Sequence, residues 1–411
     1  MPGPRMKIVL LHQNFPGQFL RLAPALAERG HEVVGLTVAG NTRPSPVPPV
    51  RYKLMHQKIE PAVFGLATTF ATRTLQAAST ARAAAAMRKD LGLVPDVVFG
   101  HIGWGETLFL KEVWPEARIL LYAEFYYRST GLDASFDPEL QQTDLDQRIA
   151  TTARQAALLH AMHGADKWLA PTHWQASTFP PEFRDRIAVI HDGIDTDRIR
   201  PSDAATVQLP GTTLRFRKDD ELITFVNRNL EPYRGYHTFM RALPEVLAAR
   251  PNAHVVIVGA DDVSYGTKPL PGKTWKGIFL DEVKDRLDMS RVHFVGQVPY
   301  QTFVDLMRVS CVHAYLTYPF VLSWSMLEAM AAGALIVGSR TPPVEEVIED
   351  GVNGRLVDFF DVKAWSAALI EALAEPARFE GMRAAARQTV VDRYDLRSVC
   401  LPRMIDFVEK P

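Results

Sequence analysis

Cysteine is scarce in this sequence: the two residues, Cys311 and Cys400, lie far apart and join no CxxC or Cys/His cluster. That excludes a disulfide framework and a zinc site of the usual spacings, and it fits a reducing compartment. Net charge is lacking too. The 46 Lys and Arg residues are offset by 47 Asp and Glu, a formal −1, so no global field favours nucleic acid as a partner. Long apolar runs are missing. In the amino-terminal MPGPRMKIVLLHQNFPGQF the run KIVLL stops after five residues. A secretory leader needs a longer apolar core and a membrane span a far longer one, so the expectation is a soluble, cytoplasmic protein. No repeat of solenoid period and no low-complexity tract occurs. What remains is ordinary globular composition, 47% hydrophobic and 23% charged over 411 residues. That length suits two domains of about 200 residues each.

Short apolar runs alternate with longer helical stretches. Lys7–Leu11, Glu32–Val38, Pro95–Gly100, Arg118–Tyr122, Lys167–Ala170 and Ile187–His191 read as strands. Between them, Leu20–Arg29, the Ala-rich Ala67–Leu91 and Glu139–His163 read as helices. Strands separated by helices imply a parallel sheet covered on both faces. The rhythm breaks between Asp195 and Asp220, rich in charge, Pro and Thr, and restarts at Leu222–Val226. His254–Gly259, Val292–Gly296, Val312–Leu316 and Ala334–Gly338 are further strands, and Val362–Leu373, Pro376–Arg393 and Asp395–Glu409 are helical. The expected organisation is therefore a first domain over 1–195, a linker over 196–220 and a second domain over 221–393. A helix over 394–411 closes the chain and is read as returning to the first domain. Both domains are α/β and doubly wound, and in such sheets ligands bind beyond the carboxyl ends of the strands.

Two segments carry the chemistry. In FVNRNLEPYRG, Arg228 ends a buried strand, and Arg234 follows six residues later, before a glycine that opens a helix. Two guanidinium groups at a strand end suit a diphosphate, since Arg is always charged and donates bidentately. The plainer alternative is a pair of solvated loop arginines. In YLTYPFVLSWSMLEAMAAG a strand runs into a loop and then a helix from about Leu322. A helix amino terminus offers free N–H groups to phosphate. Glu328 sits inside that helix among Leu327, Ala329 and Met330, where a carboxylate needs a partner or a ligand. A ribose diol would serve, and an exposed Glu on the polar face is the alternative.

Together these segments resemble the retaining glycosyltransferases of family 4, which have the GT-B fold of two Rossmann-like domains facing a cleft. LEAMAAG, Leu327–Gly333, is similar to the second half of that family's Glu-x7-Glu motif, and VEEVIEDGVNGRLV follows with Glu346 in the usual glutamate position. Arg228 and Arg234 fall on the family's diphosphate-binding Arg and Lys. IHDGIDTD, Ile190–Asp197, resembles the sequence that ends the first domain, and PDVVFGH resembles the strand whose terminal His, here His101, approaches the donor sugar. Gly17 is the best match to a loop glycine near the donor phosphates. One departure stands out: Phe320 occupies the place of the motif's first Glu, which in the family contacts the sugar, and Phe-Val-Leu-Ser-Trp replaces the glycines that follow. The backbone amides of Val321, Leu322 and Ser323 remain expected phosphate donors. The base is expected to be read by backbone atoms near Gly296–Val298.

On the acceptor side the candidates are His12 at the first strand end, Glu124 in LYAEFYYRS, and Tyr126. The loop from Gly259 to Gly277 reads as long, polar and mobile. Arg73, Arg82, Arg88 and Lys89 on the Ala-rich helix form either a solvated face or a peripheral contact with an anionic membrane. No Asp-x-Asp pair stands at a strand end in the second half, and Asp261-Asp262 lacks the spacing, so no metal and no cofactor is expected. The resemblance implies transfer of a sugar from a nucleoside diphosphate sugar to an acceptor hydroxyl, the acceptor itself unspecified. Two alternatives remain open: a nucleotide-sugar epimerase of the same fold, and a nucleotide-sugar-binding protein without turnover, prompted by Phe320.

Overall fold

The computed structural model describes residues 4–55, 68–141 and 144–411. It divides into two compact units, one of residues up to Asp192 together with Arg397–Pro411, the other Gly193–Leu396. In the first, β1 (Lys7–Leu11), β2 (Glu32–Val38), β3 (Pro49–Tyr52), β4 (Val97–His101), β5 (Arg118–Tyr122), β6 (Lys167–Ala170) and β7 (Ala188–Val189) form one sheet. Its order is β3-β2-β1-β4-β5-β6-β7 and every described pairing is parallel. Helices cover both faces, so the central strands bury both sides and read as unbroken apolar runs: Ile8–Leu11 and Val97–Phe99 are at most 1% exposed.

The second unit repeats the plan. The strands β8 (Thr206–Gln208) and β9 (Arg215–Arg217) form an antiparallel hairpin. The strands β10 (Leu222–Asn229), β11 (His254–Ala260), β12 (Val292–Gly296), β13 (Val312–Tyr315), β14 (Leu335–Ser339) and β15 (Arg355–Val357) form a parallel sheet in the order β12-β11-β10-β13-β14-β15. In both parallel sheets the winding reverses at the sheet's first strand, between β1 and β4 and between β10 and β13. Ligands of doubly wound folds bind beyond the strand ends at such a reversal.

Two sequence expectations change. The segment 196–220 is no linker: Val207 and Phe216 of the hairpin, with Ile199 and Leu209, are buried in the core of the second unit. Its strands are three residues long with one inward side chain each, too short for a visible period. The helix expected from Glu139 begins at Leu145, where the Asp144 carboxylate accepts the Gln147 N–H as its cap. Asp137 organises the turn before it by accepting from the amides of Glu139 and Leu140. The Ala-rich helix runs Thr68–Leu91, Ala67 lying outside the described residues. On it Arg88 and Lys89 are exposed, whereas Arg73 is half-buried. Among the described residues no helix is long and apolar enough to cross a membrane.

The terminal helix Leu401–Glu409 packs on the first unit. Met404 and Val408 enter the cluster of Phe19, Leu26 and Phe99, and Glu409 pairs with Arg29 through both oxygens, at 2.5 and 2.8 Å.

Candidate functional site

In the second unit the site grows out of the end of β10. The register of β10 on β11 slips between Val226 and Asn229, an extra residue that marks a bulge. Such bulges re-aim side chains beside functional sites, and here Arg228 turns out, exposed and with no ion pair among the described residues. The chain then makes a 3-10 turn, Pro232–Arg234, and Gly235, at φ +67°, starts the helix Tyr236–Ala249. A side chain at Gly235 would put Cβ 2.3 Å from the Leu316 Cβ, so the turn lies directly on the loop leaving β13.

That contact brings Arg234 under the β13 loop. The residue is 7% exposed. Nη1 donates to the Thr317 hydroxyl at 2.8 Å and to the Val321 carbonyl at 2.9 Å, while the rings of Tyr265 and Phe320 flank the group at 5.4 and 5.8 Å. No carboxylate pairs with it among the described residues. Glu231 lies nearby, but its Oε2 accepts the amides of Ser264 and Tyr265 at 3.0 and 2.9 Å. Burial lifts the Glu231 carboxyl to about 7 against those amides and the two arginines, which favour its charged form.

The residues expected to cradle phosphate are partly committed elsewhere. The helix begins at Trp324, with Ser323 as its cap, rather than at Leu322. The Ser323 amide donates to the Tyr315 hydroxyl at 2.8 Å, and Leu322 turns into the core. Val321 contributes its carbonyl to Arg234. Phe320 is 2% exposed and meets Tyr233 edge-on and Tyr265 at 4.7 Å. Glu328 receives the Tyr300 hydroxyl at 2.7 Å, the Arg198 guanidinium lies 4.8 Å over the Tyr300 ring, and burial raises the Glu328 carboxyl. Val298 is half-buried against the core near Gly296, which has open space at its α-carbon. Glu346 ends the short helix Pro342–Glu345 and its carbonyl accepts from Arg393.

In the first unit a polar cluster forms at the ends of β1, β4 and β5. His12 and His101 each accept a backbone N–H at Nδ1, from Asn14 and Gly103, both at 2.9 Å. A nitrogen accepting a hydrogen bond carries no proton, so each neutral ring holds its proton on Nε2. His101 directs Nε2 at Glu124 Oε2, 3.5 Å away, and Gln18 donates to Oε1 of the same carboxylate at 3.3 Å. Trp104 packs on both imidazoles, at 4.8 and 4.4 Å. Burial and the neighbouring His101 push His12 down to about 3, so it stays neutral. Gly17, at φ +49°, lies against this ring; a Cβ there would come within 2.6 Å of it. Tyr126 does not join the cluster: it is buried in the core against Phe179.

Beneath lies Glu106, fully buried, accepting the Tyr52 hydroxyl at 2.5 Å, with Oε2 unpartnered and the carboxyl raised to about 7 by burial. Because this folded value exceeds the unfolded one of about 4.5, the folded state binds the extra proton between those values and loses stability as pH rises through that window. Glu106→Gln keeps an acceptor for Tyr52 and removes the penalty. It should gain on the order of 3 kcal/mol relative to the parent between pH 5 and pH 8. Chemical denaturation at the two pH values reads this, and equal pH slopes would refute it.

Sequence reading missed Gln18, Trp104, Glu106, Glu231, Tyr265, Tyr300 and Thr317. Of these, Glu231 alone carried a local signal, a carboxylate set between two candidate arginines. The loop after β11 is tied through Glu231, through the Asn229–Ser264 bond at 2.6 Å and through Trp275 donating to the Thr267 carbonyl at 3.0 Å.

Two parallel doubly wound units with these strand orders define the GT-B class. Sucrose-phosphate synthase from Thermosynechococcus elongatus matches 98% of this chain with 98% of its own, at a TM-score of 0.71 and 16% identity. The Anabaena protein Alr3699/HepE, solved with UDP-glucose, matches 99% of this chain with 100% of its own, at 0.67 and 15%. Residues 29–199 match the glycosyl transferase family 4 group and residues 213–389 the glycosyl transferases group 1, so the chain belongs to the family 4, group 1 glycosyltransferases. The D-inositol 3-phosphate glycosyltransferase of Mycolicibacterium smegmatis is 26% identical over 381 residues, 87% of this chain and 78% of that protein. That of Nocardia farcinica is 27% identical over 248 residues, 59% of this chain, and the match spans about half, 49%, of its length.

Proposed function

We propose that the protein transfers a sugar from a nucleoside diphosphate sugar to an acceptor hydroxyl, with retention at the anomeric carbon and without a metal ion. One observation carries the reading: Arg234 is a buried guanidinium with no carboxylate partner among the described residues, beside an exposed Arg228 at the same strand end. A buried charge left unpaired is costly, and an anionic ligand compensates it. A diphosphate offers two such partners and gains negative charge as it leaves the sugar, the step at which fixed cations accelerate reaction most. Glu328 holds the ribose hydroxyls. In the first unit His101 offers an N–H donor to a sugar hydroxyl, and Glu124 offers an acceptor. The proton of the acceptor hydroxyl passes to the leaving phosphate oxygen, so no protein base is assigned.

Thermal unfolding with UDP, GDP, ADP and their common sugar conjugates tests the reading. One of them at a hundredfold excess over its Kd should stabilise by about 2.7 kcal/mol, unchanged by EDTA. No stabilisation by any nucleoside diphosphate would defeat it. Turnover is then sought over an acceptor panel that includes D-inositol 3-phosphate, the compound in the relatives' name, and NMR of the product gives the anomeric configuration. Release of an epimerised donor without acceptor would shift the assignment to the epimerase.

A further inference from the structure

The carboxylate beside the two arginines does not pair with them, and what it holds instead is specific. Glu231 is 1% exposed, and its Oε2 grips the consecutive amides of Ser264 and Tyr265. That grip fixes the start of the loop between β11 and the helix Trp275–Val283. Asn229, two residues before Glu231, holds the Ser264 side chain. Gly266 lies on the Tyr233 ring, where a Cβ would come within 2.6 Å. The Tyr233 ring packs tilted against Tyr318 at 4.7 Å, and its carbonyl accepts the Tyr318 amide. Three segments, 229–235, 261–275 and 316–323, are thus interlocked around Arg234.

The consequence falls on one ring. Tyr265 follows Ser264 directly, and the fixed loop sets its ring across the Arg234 guanidinium at 5.4 Å, with Phe320 at 5.8 Å. Two rings and the Nη1 bonds to Thr317 and Val321 hold the guanidinium plane. Its Nε and Nη2 edge makes no hydrogen bond to the described residues. A ring over the cation also excludes water, which strengthens whatever anion that edge binds. Had Glu231 reached Arg234 instead, the pair would have neutralised the seat.

We propose that Glu231 is a positioning residue for anion binding: by gripping the Ser264 and Tyr265 amides it sets the Tyr265 ring as one wall of the Arg234 seat. The proposal deepens the transferase reading and rests on it for the identity of the anion, a diphosphate.

Inorganic pyrophosphate is the probe that separates the two. In Glu231→Ala its calorimetric Kd should weaken by about tenfold or more, and amide exchange at Ser264 and Tyr265 should accelerate without ligand. Glu231→Gln, which keeps an amide acceptor, should recover most of the affinity. Tyr265→Phe should bind as the parent does and Tyr265→Ala should match Glu231→Ala. The double variant should be no weaker than either single one, because the two act as one device. A structural role alone would lower the melting temperature and leave Kd in place. Parental affinity in Glu231→Ala, additive losses in the double variant, or no pyrophosphate binding by the parent would each overturn the proposal. If the parent binds pyrophosphate with this pattern but no nucleoside diphosphate, the latch stands and the transferase reading falls.

Discussion

Arg234→Met should remove nucleotide binding and lower turnover by roughly 10²–10³-fold, while leaving the protein as stable as its parent or more so. The two halves of that result have one cause. Arg234 is 7% exposed and has no carboxylate partner among the described residues, so only two neutral acceptors and two aromatic rings offset its desolvation until an anion arrives. Methionine fills a similar volume and carries no charge. Against that gain stand the donors lost to the Thr317 hydroxyl and Val321 carbonyl, each a modest term of about 1 kcal/mol. Arg234→Lys keeps the charge but cannot serve both acceptors and an anion from one planar fork, and should fall between. Melting curves with and without UDP, beside steady-state rates, decide the matter. A methionine variant that still gains stability from UDP would place the anion elsewhere.

The second large effect concerns the residue after it. Gly235→Ala should destabilise the second unit by about 3 kcal/mol or more. Two penalties add there: an L-residue at φ +67°, and a Cβ only 2.3 Å from the Leu316 Cβ and 2.6 Å from its Cδ2. The neighbour cannot yield cheaply, since Leu316 is fully buried. Gly211, at φ +72° with nothing within 4 Å of its Cβ position, supplies the control. Alanine there pays the backbone penalty alone, about 1–2 kcal/mol. Calorimetric unfolding of the two variants isolates the steric part, and equal losses would show that the contact with Leu316 relaxes freely. Relief by moving the β13 loop would displace Thr317 and Val321, so the same variant should also lose nucleotide affinity.

How much of this was legible depended on how local the signal was. The central strands announced themselves because both of their faces are buried and their sequences are unbroken apolar runs. Three short strands did not: β3, PVRY, starts with proline and carries a charge, and β8 and β9 offer one buried side chain each, Val207 and Phe216. Arg228 and Arg234 could be picked out because strand end, arginine and glycine follow one another within a few residues. The partner of Glu328 could not, since Tyr300 lies 28 residues away and meets it only after two helices pack. The Ser323 amide looked free because a helix start was the only pattern in view. Its capture by the Tyr315 hydroxyl is a fact of tertiary packing.

The path of the chain has a consequence for synthesis. The second unit, Gly193–Leu396, is continuous, while the first is completed only by Arg397–Pro411, whose Met404 and Val408 plug its core and whose Glu409 and Lys410 tie to Arg29, Arg118 and Lys167. During translation the amino-terminal sheet therefore emerges first yet waits longest, its groove for the last helix open until that helix leaves the ribosome. The later-made unit can close on itself beforehand. Vectorial synthesis thus supplies the last residues of the two units in the reverse of the order in which it starts them, and a released chain truncated after residue 396 would carry the whole second unit beside a first one still missing its final helix.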